Sequence, residues 1–245
     1  MEFAQGETVD PALLARIQTN RGNALMRLGD SEAATTAYEQ ARLAAENAEN
    51  LRSLALAYMG LGEASRERGD YSRAIAHMEL AVDLFDRLES RHLQVHNLHN
   101  LGEVCAERGD VVAARHHFEA ALAAATTMGD ATPRGYALER LAALDVAQDA
   151  ALKAVALAEE AIGIAREIRD GDLLARALAT FGDACQRLGD ADQADSAYRD
   201  ALAQGNAASG RAVRQVLMQQ GNMLRQRGDY EAATRAFEGA ARMRG

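Results

Sequence analysis

Apolar and polar residues alternate along this chain with the period of an α-helix, and the helical segments follow one another in pairs. The segment "LALAYMGLGEASRERG" at 54–69 carries apolar side chains three and four residues apart, and so does "DYSRAIAHMELAVDLF" at 70–85. This spacing places the apolar side chains on one face of a helix. The pattern therefore predicts two amphipathic helices joined by a tight turn at the Gly-Asp step between them.

Glycines recur at two positions of this pattern, seven residues apart, at intervals of about 40 residues. The first series comprises Gly22, Gly62, Gly102, Gly182 and Gly221, and the second comprises Gly29, Gly69, Gly109, Gly189 and Gly228. Counted from the first glycine of each copy, alanine stands 12 and 19 residues on, and a large side chain stands 16 residues on. The large residues are Tyr38, Met78, Phe118, Tyr198 and Phe237. A fixed period of this length is the sequence signature of a repeat protein.

The period predicts an all-α fold, a solenoid of six antiparallel helix pairs, because a single pair cannot bury its apolar faces alone. The predicted repeats of this single solenoid cover about residues 11–48, 49–90, 91–130, 131–170, 171–208 and 209–245. Residues 1–10 are expected to form a flexible N-terminal segment.

The triplet Arg-Gly-Asp occurs three times, at 68–70, 108–110 and 227–229. The triplet is known as an adhesion signal, but here it always falls between two helical segments. Glycine just past a helix end adopts the left-handed conformation at no steric cost, and the following aspartate can cap the next helix. Two repeats carry leucine in place of the arginine. The spacing therefore favours helix capping over adhesion.

Repeat four departs from the pattern, because Ala142 and Asp149 replace its two glycines. We expect either a distorted turn near Asp149 or two helices that partly merge between residues 144 and 152. The chain has only two prolines, Pro11 and Pro133. Each follows a residue that can cap a helix, so each is predicted to be the first residue of a helix.

Composition and charge exclude several classes of function. The net charge of −9 disfavours nonspecific binding to nucleic acid. No apolar run is long enough to cross a membrane, and the first residues lack the basic and apolar regions of a signal peptide. The expected location is the cytoplasm. Because neither a catalytic constellation nor a phosphate-binding loop is evident, the sequence predicts no enzymatic activity and no cofactor.

The repeat positions resemble those of the tetratricopeptide repeat family, over about residues 11–245. The resemblance rests on Gly62, Gly69, Tyr71, Ala74, Met78 and Ala81 and on their equivalents. The repeats are longer than the usual length of about 34 residues and lack its closing proline. Longer repeats of this kind are similar to those of bacterial signal-responsive regulators, kinesin light chains and polarity scaffolds that bind Gα regulators. The resemblance implies a right-handed superhelix whose first helices line a concave groove that binds a peptide or protein.

Four positions of each first helix would face such a groove, at six and three residues before the first glycine and one and five residues after it. The resulting candidates for partner binding are Arg16, Asn23, Arg27, Met59, Glu63, Glu67, His96, His99, Glu103, Glu107, Tyr136, Glu139, Arg176, Asp183, Arg187, Met218 and Asn222. In family relatives, asparagines at the position of Asn23 and Asn222 hold the backbone or terminal carboxylate of a bound peptide. Both could instead be solvated polar residues.

Repeats two and three place two glutamates each on this face, four residues apart, so neighbouring carboxylates repel one another. They are Glu63, Glu67, Glu103 and Glu107. One interpretation is a solvated face with ion pairs to Arg66, Arg68 or Arg108. The other is an acidic pocket for a basic partner segment. The arginines toward both ends of the chain favour a partner with a basic centre and acidic ends.

All six histidines lie between residues 77 and 117. His92, His96, His99 and Glu103 form one helical stripe that could hold a metal ion, but no recognised zinc motif is complete. A pH-sensitive contact and a plain groove lining are the alternatives, and the sequence predicts no metal. Cys105 and Cys185 are predicted to be buried thiols, too far apart for a disulfide and consistent with a reducing compartment.

An apolar stripe on the last helix, at 236, 239, 240 and 243, would normally be covered by a further repeat. The alternatives are a longer parent protein, self-association through the C-terminal helix, or an end tolerated in water. We expect a protein- or peptide-binding scaffold. The alternative is a sensory domain of a bacterial regulator that binds a small ligand or signalling peptide.

Overall fold

The computed structural model describes residues 10–204 and 207–243, and these ranges contain α-helices and turns but no strand. The helices are α1 (Pro11–Arg27), α2 (Ser31–Asn47), α3 (Leu51–Glu67), α4 (Tyr71–Arg87), α5 (Arg91–Glu107), α6 (Val111–Met128), α7 (Ala131–Ala147), α8 (Ala151–Ile168), α9 (Gly171–Arg187), α10 (Ala191–Ala203), α11 (Gly210–Gln226) and α12 (Tyr230–Arg242). The all-α prediction is confirmed. The predicted N-terminal segment covers residues 1–10. Residues 1–9 of it lie outside the described ranges.

The chain divides into two compact units, which we call the N-terminal unit, ending at Ala120, and the C-terminal unit, beginning at Ala121. Within each unit, consecutive helices pack against one another, as α1 does on α2 and α9 does on α10. We call the odd-numbered helices first helices and the even-numbered helices second helices. None of the described helices is both long and apolar enough to cross a bilayer.

The predicted Gly-Asp turns are present. Gly69 ends α3 in the left-handed region at φ +74°, and the Asp70 carboxylate accepts a hydrogen bond from the Arg73 backbone N–H at 3.2 Å. The same cap recurs at Asp30, Asp110, Asp190 and Asp229. Since each aspartate satisfies the first turn of the next helix, the recurring triplet is a structural device.

The large residue of each pair fills space between helices, as the pattern predicted. Tyr38 of α2 is fully buried and packs against Ala34, Leu61 and Ala64, so it joins the first pair to α3. A Cβ atom at Gly22 or at Gly60 would collide with the Tyr38 ring. The small residues thus allow α1 and α3 to approach this ring.

The degenerate turn of repeat four keeps the geometry of the others, so both expected departures are wrong. Asp149 adopts φ +61°, and the backbone N–H of Ala150 donates to the Asp145 carbonyl at 2.8 Å. The equivalent bond at the glycine turn runs from Asp70 to the Ser65 carbonyl at 2.9 Å. Aspartate tolerates the left-handed region better than most residues, so the turn forms without glycine. The helices do not merge.

One proline position was predicted correctly and the other was not. Pro11 is the first residue of α1, and Asp10 caps that helix. Pro133 is instead the third residue of α7, which begins at Ala131 behind the cap residue Asp130. The first four N–H groups of a helix have no intrahelical acceptor, so proline is tolerated anywhere in that turn.

The apolar stripe of the last helix is less open than the sequence suggested. Ala236 and Ala240 of α12 are buried, and a Cβ atom at Gly239 would lie 3.3 Å from Leu217 of α11. Of the four stripe residues, only Met243 is exposed. The stripe therefore packs largely within the C-terminal unit, which removes most of the basis for self-association through α12.

Candidate functional site

The candidate site of the N-terminal unit is the outward face of α3 and α5, which we call the acidic face. On α3, Glu63 and Met59 are half-buried and Glu67 is exposed. On α5, Glu103 and His99 are half-buried, and His96 and Glu107 are exposed. Both helices thus present the predicted glutamates along one face.

Arg66 of α3 reaches across to α5 and binds two of these glutamates. Its Nε donates to Oε2 of Glu107 at 2.9 Å, and its Nη2 lies 3.4 Å from Oε2 of Glu103 and also contacts Oε1 of Glu107. Arg108 instead pairs with Asp110 of its own turn at 2.8 Å. One guanidinium therefore serves a face of four carboxylates, so the acidic face keeps an excess of negative charge.

Glu63 is one of these carboxylates, and burial has the largest effect on its pKa. Its Oε1 accepts a hydrogen bond from Nδ2 of Asn100 at 3.2 Å. Burial raises the pKa of Glu63, the Glu67 carboxylate adds to this, and His96 and Arg66 oppose it. A cation brought to this position would stabilise the ionised carboxylate.

The histidine stripe on α5 does not converge with other ligands. Nε2 of His99 lies 3.7 Å from Oε1 of Glu103, and its ring lies 5.5 Å from that of Phe118. Within the described ranges, no group of three or more His, Cys, Asp or Glu side chains is arranged to hold a metal ion. His96 and His99 therefore belong to the acidic face as polar lining.

The predicted positions on α1 divide into two kinds. Arg16 and Arg27 are exposed. Asn23 is also exposed, but its Oδ1 accepts a hydrogen bond from the Tyr38 hydroxyl at 2.7 Å. Burial raises the pKa of Tyr38 to about 12, and Glu63 adds to this effect. Asn23 therefore anchors the buried tyrosine of its own pair.

The C-terminal unit repeats this contact at the equivalent position, where the Tyr198 hydroxyl donates to Oδ1 of Asp183. Oδ2 of Asp183 accepts from Nε2 of Gln219 at 2.9 Å. Burial raises the pKa of Asp183, and the two hydrogen bonds oppose it. Sequence reasoning missed this link, although a signal was present. Repeats with tyrosine at the large position carry Asn or Asp after the first glycine, whereas repeats two and three, with Met or Phe, carry Glu. Repeat six departs from this pairing, since it combines Phe237 with Asn222.

Glu139 of α7 was predicted to contact a partner, but only 1% of it is exposed. Its Oε2 lies 2.6 Å from Nη2 of Arg176 and 3.6 Å from Nε of Arg140, and its Oε1 accepts from the Thr180 hydroxyl at 3.1 Å. Burial alone would raise the pKa of Glu139, but Arg176, Arg140 and Thr180 outweigh it and hold the pKa below its ordinary value. Glu139 is thus an internal ion-pair residue, and the prediction of a partner contact is wrong because the pair is enclosed.

Two other predicted residues belong to the same network. The guanidinium carbon of Arg176 lies 5.3 Å from the centre of the Tyr136 ring, a cation–π contact. The Tyr136 hydroxyl donates to Oδ2 of Asp170 at 3.1 Å. Tyr136 and Arg176 are therefore engaged within the C-terminal unit.

The remaining predicted positions of the C-terminal unit are open to solvent. Arg187 is exposed and pairs with Asp149 at 3.2 Å. Met218 and Asn222 of α11 are exposed, and Oδ1 of Asn222 lies 3.4 Å from Nη2 of Arg225. Both predicted cysteines are buried and unbridged.

No curated protein matches this sequence. Several solved structures match the fold. The apo form of RapI superposes with a TM-score of 0.80 at 13% identity, covering 96% of this chain and 84% of that one. A Rap protein complexed with competence and sporulation factor gives a TM-score of 0.76 at 16% identity, covering 96% of this chain and 65% of that one.

A third solved structure is a signal transduction ATPase with a tetratricopeptide repeat sensor from Pyrococcus horikoshii. It gives a TM-score of 0.75 at 15% identity, over 96% of this chain and 37% of the larger one. At these identities the likeness concerns the fold.

Sequence models described as tetratricopeptide repeat match residues 13–87, 53–127 and 175–203, which together span more than half of the chain. The helix pairs, the glycine turns and the buried large residues Tyr38, Met78, Phe118 and Tyr198 agree with those matches, and the chain belongs to the tetratricopeptide repeat family.

Proposed function

We propose that this chain is a protein- or peptide-binding scaffold and that the acidic face of α3 and α5 holds the basic centre of a partner segment. The observation that carries the proposal is the charge imbalance of that face. Four carboxylates lie on the two helices, and Arg66 is the cation that bridges them. An excess of one charge on a surface attracts a segment of the opposite charge and speeds its association.

Glu63 and Glu67 are the two positions where a partner cation would gain most. Arg66 binds Glu103 and Glu107, so the charges of Glu63 and Glu67 are not paired with it directly. Burial raises the pKa of Glu63, and a lysine or arginine of the partner would offset that cost. Met59 and His96 offer apolar and polar contact beside them.

The expected partner has a basic centre and two acidic ends, and the arginines of the chain support only one of those ends. Arg16 and Arg27 are exposed on α1 and suit an acidic end of the partner. Arg176 and Arg187 are engaged with Glu139 and Asp149. We therefore propose a basic centre with one acidic end.

Tetratricopeptide repeat proteins generally act as scaffolds without catalysis, and we propose the same for this chain. We propose the cytoplasm as its location, since its two cysteines are buried, unbridged thiols.

Fluorescence anisotropy with labelled peptides tests the acidic face. The probe peptide carries three central lysines and an acidic end, and a charge-reversed peptide serves as its counterpart. Glu63→Gln and Glu67→Gln should each weaken binding of the basic peptide by about 2- to 5-fold, the range of a solvent-accessible ion pair. Raising the salt concentration should remove most of the difference.

Glu79→Gln is the matched control, because Glu79 is exposed on the second helix α4 of the same unit. It makes the same change of charge away from the acidic face and should leave affinity unchanged. Equal binding of the charge-reversed peptide, or equal loss of affinity from all three variants, would contradict the proposal. Affinity capture from the native host then identifies the natural partner.

A sensory role is the second candidate. The observation that favours it is the likeness to a Rap protein bound to competence and sporulation factor and to an ATPase with a repeat sensor. A sensor should melt at a higher temperature with its small ligand or signalling peptide. A scaffold should show no such shift with free signalling peptides that lack a basic centre, and a screen of melting temperatures with such peptides separates the two.

A further inference from the structure

A cavity of about 360 Å³ lies in the C-terminal unit between the second helices α8 and α10, with α9 as its floor. Each wall contributes one helical stripe. The stripe of α8 runs from Glu159 to Arg166, and that of α10 runs from Gln193 to Asp200. Ligand pockets commonly have a volume of about 300–1,000 Å³, so this cavity is large enough for a small molecule. None of its lining residues is a predicted groove position.

Gly163 lines this cavity from the middle of α8, and packing does not explain why it is glycine. A Cβ atom at Gly163 would meet no other atom within 4 Å. Two other glycines within helices of this unit lack that freedom, since a Cβ at Gly135 would lie 2.5 Å from Leu173 and one at Gly182 would lie 3.0 Å from Tyr198. Glycine in a helix interior weakens the helix relative to alanine. At Gly163 this cost keeps the cavity open and lets a ligand approach the backbone.

The cavity is lined by both apolar and charged side chains. Ile162, Leu178 and Phe181 form an apolar floor, and Ile162 and Leu178 are buried. The rim carries two carboxylates, those of Glu159 and Asp200, against the guanidinium of Arg166. No ion pair within the described residues engages any of these three groups. The rim therefore has a net negative charge that a ligand cation would balance.

We propose that this cavity is a binding site for a small amphiphile, a molecule with an apolar body and one cationic amine. The body packs on Leu178 and Phe181 beside the bare backbone of Gly163. The ammonium group pairs with Glu159 or Asp200 at the rim. An anionic ligand of the same shape meets two carboxylates against one guanidinium and binds less tightly.

Glu159 lies at the Cys185 end of the cavity. Burial raises the pKa of the Cys185 thiol, and Asp190 and Glu159 add to that effect. Sγ of Cys185 donates to Oε1 of Gln193 at 3.1 Å, which occupies that acceptor within the protein. The carboxylate of Glu159 is thus left as the acceptor for a ligand amine at this end.

This site is independent of the proposed scaffold function, because it lies on α8, α9 and α10 and uses no residue of α3 or α5. A loss of ligand binding here should leave basic-peptide binding by the N-terminal unit unchanged, and the reverse also holds. The two proposals can therefore fail separately.

Titration with phenethylamine, followed by two-dimensional NMR of the full chain, tests the site. Its neutral and anionic counterparts are 2-phenylethanol and 3-phenylpropanoate. Phenethylamine at millimolar concentration should shift the signals of Leu178, Phe181 and Gly163, and should bind more tightly than either counterpart. Absence of these shifts, or equal binding of the anionic compound, overturns the proposal.

Gly163→Leu should fill the cavity with a side chain and weaken phenethylamine binding about ten-fold or more. Leucine favours the helix more than glycine does, and its Cβ would meet no atom within 4 Å, so the melting temperature should stay equal or rise. Gly163→Ala adds one methyl group and should weaken binding less. Unchanged affinity of the leucine variant overturns the proposal.

Glu159→Gln gives an independent answer if the leucine variant folds poorly. It should weaken phenethylamine binding about 2- to 5-fold and leave 2-phenylethanol binding unchanged. Glu167→Gln is its matched control, because Glu167 is exposed on the same helix and does not line the cavity. Equal affinity of the Glu159 and Glu167 variants would exclude the proposed amine contact.

Discussion

The glutamates on the first helices of the two compact units differ in their exposure and in their ion pairs. On α3 and α5, Arg66 bridges two carboxylates of a face that carries four. On α7 and α9, Glu139 is enclosed with Arg176 and Arg140 beside it. The positions differ in the repeat. Glu139 stands three residues before the substitute of the first glycine, whereas the glutamates of α3 and α5 stand one and five residues after it.

The residue six positions before the first glycine of the next repeat accounts for the difference. Next to Glu139 that position is Arg176, and its guanidinium lies 2.6 Å from the carboxylate. For repeats two and three, which carry the acidic face, the same position is His96 and Tyr136. Arg176 thus makes Glu139 part of the interior, whereas the glutamates of repeats two and three have no arginine at that position. Charge balance between neighbouring repeats therefore separates a structural glutamate from an available one.

Glu139→Gln should have the largest effect on this comparison. The variant removes the charge that balances two arginines, so it should destabilise the C-terminal unit by about 3–5 kcal/mol. Glu107→Gln, on the exposed acidic face, should change stability by less than about 1 kcal/mol. Urea unfolding with hydrogen exchange on α7 and α3 measures both. Similar losses in the two variants would show that enclosure is not the cause.

The buried tyrosines give a smaller and matched contrast. Tyr198→Phe should cost about 1.5–3 kcal/mol, because its hydroxyl donates to the buried carboxylate of Asp183. Tyr38→Phe should cost about 0.5–1.5 kcal/mol, because its partner is the exposed amide of Asn23. Thermal unfolding of the two variants measures the difference. A larger loss at Tyr38 would contradict the assigned role of Asp183.

The pH dependence of the two glutamates should have opposite signs. The folded pKa of Glu139 is lowered, so its stabilisation is present above its unfolded value of about 4.5 and is lost as the pH falls below it. The folded pKa of Glu63 is raised above 4.5, so ionisation destabilises the fold at neutral pH and not in acid.

Comparison of Glu139→Gln and Glu63→Gln at neutral and acidic pH tests those signs. The loss from Glu139→Gln should shrink as the pH falls below 4.5. Glu63→Gln should stabilise the fold at neutral pH by up to about 0.5 kcal/mol, and the gain should vanish in acid. Unfolding midpoints of each variant, measured against the parent chain at each pH, give the result. Parallel pH profiles would refute the comparison.

The last contrast concerns the turns, where a small effect is expected. Asp149→Gly should stabilise the C-terminal unit by up to about 1 kcal/mol, because aspartate at φ +61° is more strained than glycine. The loss of its exposed pair with Arg187 offsets a few tenths of a kcal/mol. Gly69→Asp in the N-terminal unit is the reverse change and should destabilise by a similar amount. The shift in melting temperature measures both, and a gain from Gly69→Asp would disagree with this account.

The predictable parts of the fold are local ones. Gly69 ends one helix and Asp70 caps the next. Both roles depend on atoms only a few residues apart, so the sequence is enough to predict them. The same reasoning misplaced the start of α7, because Asp130 and Thr132 are both able to cap a helix near Pro133. The capping residue is Asp130 because its side chain accepts from a free backbone N–H of the first turn, and the sequence alone allowed Asp130 or Thr132.

The sequence predicted which helix face carries the candidate site, but it did not predict which side chains of that face are paired or enclosed. Repeat spacing correctly placed glutamates on one face of α3 and α5. It did not show that Arg66 binds across to Glu107, 41 residues away, or that Glu139 is enclosed by Arg176, 37 residues away. Asn23 and Asp183 each accept a hydrogen bond from the tyrosine of their own repeat, and this role was recognised only in the structure.

The sequence by itself determined that this chain is a stack of helix pairs, because period, caps and turn glycines are properties of neighbouring residues. Only the tertiary structure decided which polar side chains are buried or paired within the protein and which remain accessible to a ligand. The physical reason is that burial and ion pairing depend on side chains about one repeat apart, whose distance no local pattern contains. The cavity beside Gly163 belongs to this second kind, since it exists only where α8, α9 and α10 meet.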